Sequence, residues 1–228
     1  MEFEAGGGRK PSFLGRLPER DRAALLALGR PQRLGVREPV LAVGKPGTDV
    51  VVLESGHVKV ASADLQARQV ILDVGGPGDI YGEAAVLSGR PRMADVVALD
   101  ELSVRRIDAG SFRRFLHERP SVTLELLVLQ SCRLFDAQQE RTYTRVPDAV
   151  TRIARRLAYL VDVCATETRH GWRLDAPLSQ EELAAFIPLG RTTLATVLDR
   201  LREQGIISTG RRALAVLDLK RLLILADM

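Results

Sequence analysis

The chain has 228 residues, 46% of them hydrophobic and 27% charged, the composition of an ordinary globular protein with one large or two modest domains. Lys and Arg exceed Asp and Glu by 33 to 29, and the pI of about 9.4 is compatible with a polyanionic partner. No apolar run approaches the ~20 residues of a membrane span, and no Gly-rich phosphate loop, metal cluster or nucleophile–base pair points to an enzyme.

Residues 1–12 are polar and Gly-rich and read as a flexible tail. Phe13 to Leu28 carries Leu14, Leu17, Leu25, Leu26 and Leu28 around a polar Pro18–Arg22, a short helical entry. From Arg37 to Ile107 short β-like runs recur at Val50–Leu53, His57–Ala61, Gln69–Val74, Asp95–Leu99 and Leu102–Ile107. Gly44, Pro46-Gly47, Ser55-Gly56, Gly75 to Gly78 and Gly89 punctuate them. Short strands between glycine turns predict a β-barrel or roll rather than βαβ units.

Helical sequence follows. Ala109 to Leu116 is short, and Pro120 opens a segment to about Arg145 in which Leu124, Leu127, Ser131, Leu134, Gln138 and Arg141 recur at three- and four-residue steps. Val128, Cys132 and Phe135 form a second strip. A long helix with apolar stripes needs a partner, either its own β domain or a second protomer. Val146-Pro147-Asp148 is the expected boundary, because proline disfavours helix before it and suits a helix start. The expected organisation is a roll over residues 13–119, a long helix over 120–146 that needs a partner, and a second domain over 147–228.

After a helix over Ala149–Cys164, Ser179-Gln180-Glu181-Glu182 reads as a capping box. The helix it opens ends at Pro188, and Leu189-Gly190 leaves a very short turn. A second helix runs from Arg191 to Gln204 and stops at Gly205. Leu194, Val197, Leu198 and Leu201 give it one apolar face. Arg191, Thr192, Thr193, Ala195, Thr196 and Arg200 are left outward, a small, donor-rich face that suits the major groove. Two short strands around Thr209-Gly210-Arg211-Arg212 add a basic wing. From Asp148 onward there are 12 Arg/Lys and 10 Asp/Glu, a surplus of only +2, so local clustering and not bulk charge must make a DNA face. Ser179, Arg191, Thr192, Thr193, Thr196, Arg200, Arg211 and Arg212 are the expected DNA-contacting set.

These features together resemble the CRP/FNR family of bacterial regulators, over nearly the whole chain from Phe13 to Leu217. The carrying motifs are Leu53 to Val60, Gly78 to Glu83, Arg92-Met93-Ala94 and the helix-turn-helix. The resemblance implies an α+β fold: a cyclic-nucleotide-binding-type β-roll of jelly-roll character, a long dimerisation helix and a C-terminal winged helix-turn-helix. It also implies a homodimer that reads a near-palindromic operator in double-stranded DNA, with RNA polymerase as a further partner. Recognition helices of such a dimer lie ~34 Å apart.

In nucleotide-binding members a Gly-Glu pair and an Arg-Ser/Thr-Ala triplet hold the ribose and phosphate. Gly82, Glu83, Arg92 and Ala94 match; Met93 stands where a hydroxyl residue would bind phosphate. Ala137-Gln138 stands near the place of a Thr-Ser pair for the purine. The expected effector set is Gly82, Glu83, Arg92, Met93, Ala94 and Gln138, but cAMP is not the expected ligand. A different nucleotide, an unrelated small molecule and no effector stay open, and no cofactor is assigned. The alternative for Glu83 and Arg92 is an ion pair that holds the roll together. The recognition helix opens Gly190-Arg191-Thr192 where the family has Ser-Arg-Glu, with Thr196 at the place of a second arginine, so the operator should differ. Pro188, Thr192 and Thr196 also motivate a rival reading, a regulatory subunit with little or altered DNA binding.

Two cysteines, Cys132 and Cys164, are too few for an iron–sulfur sensor and suit a reducing cytoplasm. Cys132 is expected as a small buried residue. His57, His117 and His170 are expected as solvated side chains rather than haem ligands.

Overall fold

The computed structural model describes residues 11–64, 66–143, 148–187, 189–210 and 212–227, with the backbone alone for 140–143. They fall into two compact units, one within residues 11–145 and one within 146–228. The expected tail up to residue 10, Arg141 as a side chain of the long helix, the Val146-Pro147 boundary, Pro188 and Arg211 lie outside these described residues.

The first unit opens with α1 (Phe13–Arg16) and α2 (Glu19–Leu28), so the helical entry is two helices and not one. Ser12 caps α1 through its side chain, which accepts from the Gly15 amide at 3.3 Å. Pro18 cannot donate an amide, and with φ −55 and ψ 147 it serves as the N-cap of α2. The roll follows as β1 (Arg30–Leu34), β2 (Pro39–Leu41), β3 (Asp49–Ser55), β4 (Val58–Ala63), β5 (Gln69–Gly75), β6 (Ile80–Tyr81), α3 (Glu83–Ser88), β7 (Asp95–Ala98) and β8 (Leu102–Asp108). α4 (Ala109–Glu118) and α5 (Pro120–Tyr143) complete the unit.

Two antiparallel four-stranded sheets, β1-β8-β3-β6 and β2-β7-β4-β5, form the roll. β3 is buried from Val50 to Leu53 because both of its faces are covered. Val50 and Val52 pack with Phe13, Leu25, Ile107, Phe112, Val122 and Leu126 from the helical layer. Val51 and Leu53 belong instead to the inter-sheet cluster with Leu41, Val58, Val96 and Val104. This is the alternation a strand imposes when each face meets its own core. Gly56 turns β3 into β4 at φ +82, and a Cβ there would run into the carbonyl oxygen of Glu101.

The second unit consists of α6 (Ala149–Cys164), β9 (Ala165–Thr168), β10 (Gly171–Leu174), α7 (Gln180–Phe186), α8 (Arg191–Glu203), β11 (Ile207–Gly210), β12 (Ala213–Val216) and α9 (Leu219–Leu225). Its sheet order is β11-β12-β10-β9. The β9–β10 hairpin and α9 are additions to the expected helix-turn-helix and wing. α6 buries Ile153, Leu157, Leu160 and Val161 at helical spacing, the core on which the rest is laid. Asp148 caps it: its carboxylate accepts from the Thr151 amide at 2.9 Å and the Thr151 hydroxyl at 2.7 Å.

Candidate functional site

α8 buries Leu194, Val197, Leu198 and Leu201 and leaves Arg191, Thr192, Thr193, Ala195, Thr196 and Arg200 exposed. The split follows from residue spacing alone, because i, i+3, i+4 and i+7 share one helical face. Gly190, the N-cap, offers no side chain, so the amides of the first turn have no side-chain acceptor there. The Thr196 hydroxyl donates to the Thr192 carbonyl at 3.0 Å, one turn back in the helix. Arg200 lies close enough to Asp148 to help lower its carboxyl, although the Thr151 hydroxyl and amide act more strongly.

In front of α8, α7 carries the expected capping box. The Glu182 amide donates to the Ser179 hydroxyl at 3.2 Å, and Glu182 Oε2 accepts from the Ser179 amide at 2.9 Å and its hydroxyl at 2.8 Å. Ser179 is thus engaged in holding the helix start. Glu181, one residue before, reaches across to α8 and accepts from Arg191 Nη2 at 2.5 Å, both side chains being strongly exposed.

In the wing, β11 and β12 pair from Ile207–Val216 to Gly210–Ala213. Arg212, just before β12, has φ +54. Its Nε donates to the Pro177 carbonyl at 3.1 Å and its Nη2 lies 3.7 Å from Glu182. The two successive glutamates of α7 therefore each face an arginine of the expected DNA set.

The roll places Gly82, Glu83 and Arg92 together but not as a pair. Gly82 has φ +90 and a Cβ there would stand 2.5 Å from Arg92 Nη1, so glycine is what lets the guanidinium lie against this turn. Arg92 turns its other nitrogen away: Nη2 donates to the Asp49 carboxylate at 2.7 Å and to the Asp49 carbonyl at 2.9 Å. Glu83 points to the long helix instead. Its Oε1 accepts from Gln130 and Arg133, each at 2.8 Å. The direct Glu83–Arg92 ion pair considered from sequence is replaced by two separate pairs with partners 50 and 43 residues away. Arg133 also donates to the Ile80 carbonyl at 3.1 Å and lies over the Tyr81 ring. Burial, reinforced by Asp73 and Asp79, raises the Tyr81 hydroxyl well above its ordinary pKa.

Glu83 Oε2 and Arg92 Nη1 are buried without a partner among the described residues. Ala94 is buried, while Met93 is 79% exposed and Gln138 is also exposed. The expected effector set thus separates into a half-buried Gly82 with buried Glu83, Arg92 and Ala94, and an exposed Met93 and Gln138.

A family model of the cyclic nucleotide-binding domain matches residues 31–119, and one of the Crp-like helix-turn-helix domain matches residues 151–225. The chain belongs to the CRP/FNR family of DNA-binding transcriptional regulators. It is similar to the CRP-like cAMP-activated global transcriptional regulator of Mycobacterium tuberculosis, 26% identical over 183 residues that cover 80% of this chain and 82% of that one. The Cyclic AMP receptor protein of Thermus thermophilus is 27% identical over 203 residues, 88% of this chain and 89% of that one. Among solved structures, FixK2 from Bradyrhizobium japonicum superimposes with a TM-score of 0.76 at 21% identity, covering 86% of this chain and 96% of that one, and shares the fold.

Within a CRP/FNR scaffold, four residues of these sites escaped the sequence reading. Gln130 and Arg133 lie on a third stripe of α5, continuous with the buried Val122 and Leu126 and the partly buried Leu129. That inward stripe, and not the two apolar strips read from the sequence, packs on the roll. Asp49 carries no local signal toward Arg92. Glu181 was legible only as part of a capping box. Two expectations are corrected. His57 is buried and its Nδ1 meets Asp100 at 2.8 Å, because the Gly56 turn tucks it inward. Cys132 is exposed, since its strip faces away from the roll. No helix among the described residues is long and apolar enough to cross a membrane.

Proposed function

We propose that this CRP/FNR protein is a homodimeric, sequence-specific regulator working in the cytoplasm, with α8 in the major groove, the wing on the backbone and an effector-type pocket in the roll. The carrying observation is the clean division of α8 into a buried leucine–valine face and an open face of Arg191, Thr192, Thr193, Thr196 and Arg200. Arg191 is the guanine reader on this reading, since a guanidinium matches guanine O6 and N7. Thr192, Thr193 and Thr196 permit close approach, and Arg200, Arg211, Arg212 and the Ser179 turn serve the phosphates.

Dimerisation is supported by α5, whose Leu124, Leu127, Val128, Leu134 and Phe135 are exposed in a run of apolar side chains. A second copy of the same helix is the self-complementary cover for such a stripe. A two-fold pair reads a near-palindrome with half-sites ~34 Å apart. RNA polymerase is the further partner proposed for an operator placed beside a promoter. The roll's buried Glu83 and Arg92 serve an effector site in which Met93 and Ala137-Gln138 argue against cAMP.

A mobility-shift titration on the gene's own upstream region, across salt, tests the proposal together with sedimentation of the free protein. A saturable shift whose log affinity falls with log salt by about 0.9 per phosphate contact is expected. No saturable shift of any genomic fragment at low salt, or a monomer at micromolar concentration, defeats it.

A further inference from the structure

We propose that Asp49 is the roll's own counterion: it occupies the edge of Arg92 that a phosphate would take, so the pocket admits no phosphate-bearing effector. This inference rests on reading the roll as an effector pocket and specifies what that pocket refuses.

The Asp49 carboxylate stands between two guanidiniums. Its Oδ1 takes Arg92 Nη2 at 2.7 Å and the Thr48 hydroxyl at 2.9 Å, and its Oδ2 takes Arg106 Nη1. Arg106 is spent elsewhere as well. Its Nε donates to Gln32 Oε1 at 2.8 Å and its Nη2 to the Val40 carbonyl at 3.0 Å. Arg92 Nη2 has both of its acceptors from the same residue, Asp49.

An arginine grips phosphate best through two parallel N–H groups on one edge of its fork. Nη1 of Arg92 is buried without a partner among the described residues and lies against Gly82. A phosphate brought to Nη1 would sit beside an ionised carboxylate whose side chain is 16% exposed, where like charges are poorly screened. Met93 offers no hydroxyl or amide in its side chain to offset that repulsion.

The carboxylate is therefore the dominant block, and a hydroxyl restored at position 93 cannot act while it stands. Titration calorimetry on the full chain, with inorganic phosphate and with cAMP as probes, tests it. The parent chain binds neither at millimolar concentration. Asp49→Asn binds inorganic phosphate at least about ten-fold more tightly, the order expected on removing one adjacent like charge. Met93→Ser alone leaves the parent's behaviour unchanged. The cAMP arm tells whether a nucleoside fits behind the opened anion position, and a gain for phosphate alone supports the inference equally.

Asp49→Asn leaves Arg92 and Arg106 facing each other, so the double variant Asp49→Asn, Arg106→Gln guards against misfolding. It keeps the cluster's net charge while removing the negative charge from the Arg92 edge, and it gains phosphate binding too. Micromolar cAMP binding by the parent, a gain from Met93→Ser alone, or no gain in a folded Asp49 variant would overturn the inference. The effector reading fails separately, if an Asp49 variant that binds cAMP shows unchanged operator affinity.

Discussion

In the roll, the Arg92 side chain is 5% exposed and meets Asp49 at 2.7 Å; in the winged unit, Arg191 and Glu181 meet at 2.5 Å with side chains 77% and 74% exposed. The pairing chemistry is the same and its consequence is opposite. A buried arginine cannot recover hydration when its carboxylate is lost, so its partner is obligatory and its position fixed. An exposed pair is screened, contributes little to stability, and exchanges its carboxylate for another anion at little cost. The roll's charges therefore specify internal geometry. Arg191 and Glu181, by contrast, stay open to solvent.

The comparison can be broken by removing one arginine from each side. Arg92→Ala should destabilise the roll by about 3 kcal/mol, the lower end for a broken buried pair because Asp49 keeps Arg106 and Thr48. A fall in the urea midpoint of the roll's unfolding measures it. Arg191→Ala should leave that midpoint within about 0.5 kcal/mol and weaken the operator complex by roughly 1–3 kcal/mol, seen as a roughly five- to 150-fold higher Kd in mobility shifts. If Arg191→Ala unfolds the protein or Arg92→Ala is silent, the division between the units is wrong.

Asp148→Ala sharpens the comparison with a carboxylate that is exposed and still structural. Removing an N-cap costs about 1 kcal/mol. The hydroxyl and amide of Thr151 hold the Asp148 carboxyl below its ordinary range in the folded chain. A depressed folded pKa contributes stability that is present above the unfolded value of about 3.9 and lost as pH falls through the folded one. The gap between parent and Asp148→Ala should therefore be full at pH 7 and shrink on acidification below about pH 4, read from melting temperatures across pH.

The smallest effect is expected from Glu181→Gln. It frees Arg191 and removes a negative charge from the proposed DNA face, so affinity for DNA at low salt should rise a few-fold, the size of an exposed like-charge effect. The rise should fade at high salt. A loss of operator affinity would instead make Glu181 the residue that orients Arg191 for base reading.

Much of the winged unit was legible because its signals are local. A capping box spans four residues, an apolar helix face repeats within seven, and the turn of a hairpin fixes its own register. Asp148, Ser179, Leu194 and Gly205 each stand where local rules put them. The strands that escaped notice broke such rules for reasons visible only in the sheets. β1 contains Pro31 and β2 begins at Pro39, and both strands lie at sheet edges, where a missing amide does no harm. β9 and β10 are four residues each and mostly unburied, with no apolar alternation to read.

The sequence by itself determined the order of elements from roll to wing and the buried and open faces of α8, because periodicity and caps act over a few residues; the grouping of Gly82, Glu83 and Arg92 came from the family resemblance. Only the tertiary structure decided which carboxylate meets which arginine. Asp49 reaches Arg92 and Arg106 across 43 and 57 residues, and Arg133 reaches Glu83 across 50. Such pairings follow from how strands register and helices dock. A buried charge must take whichever partner that packing brings within hydrogen-bond distance.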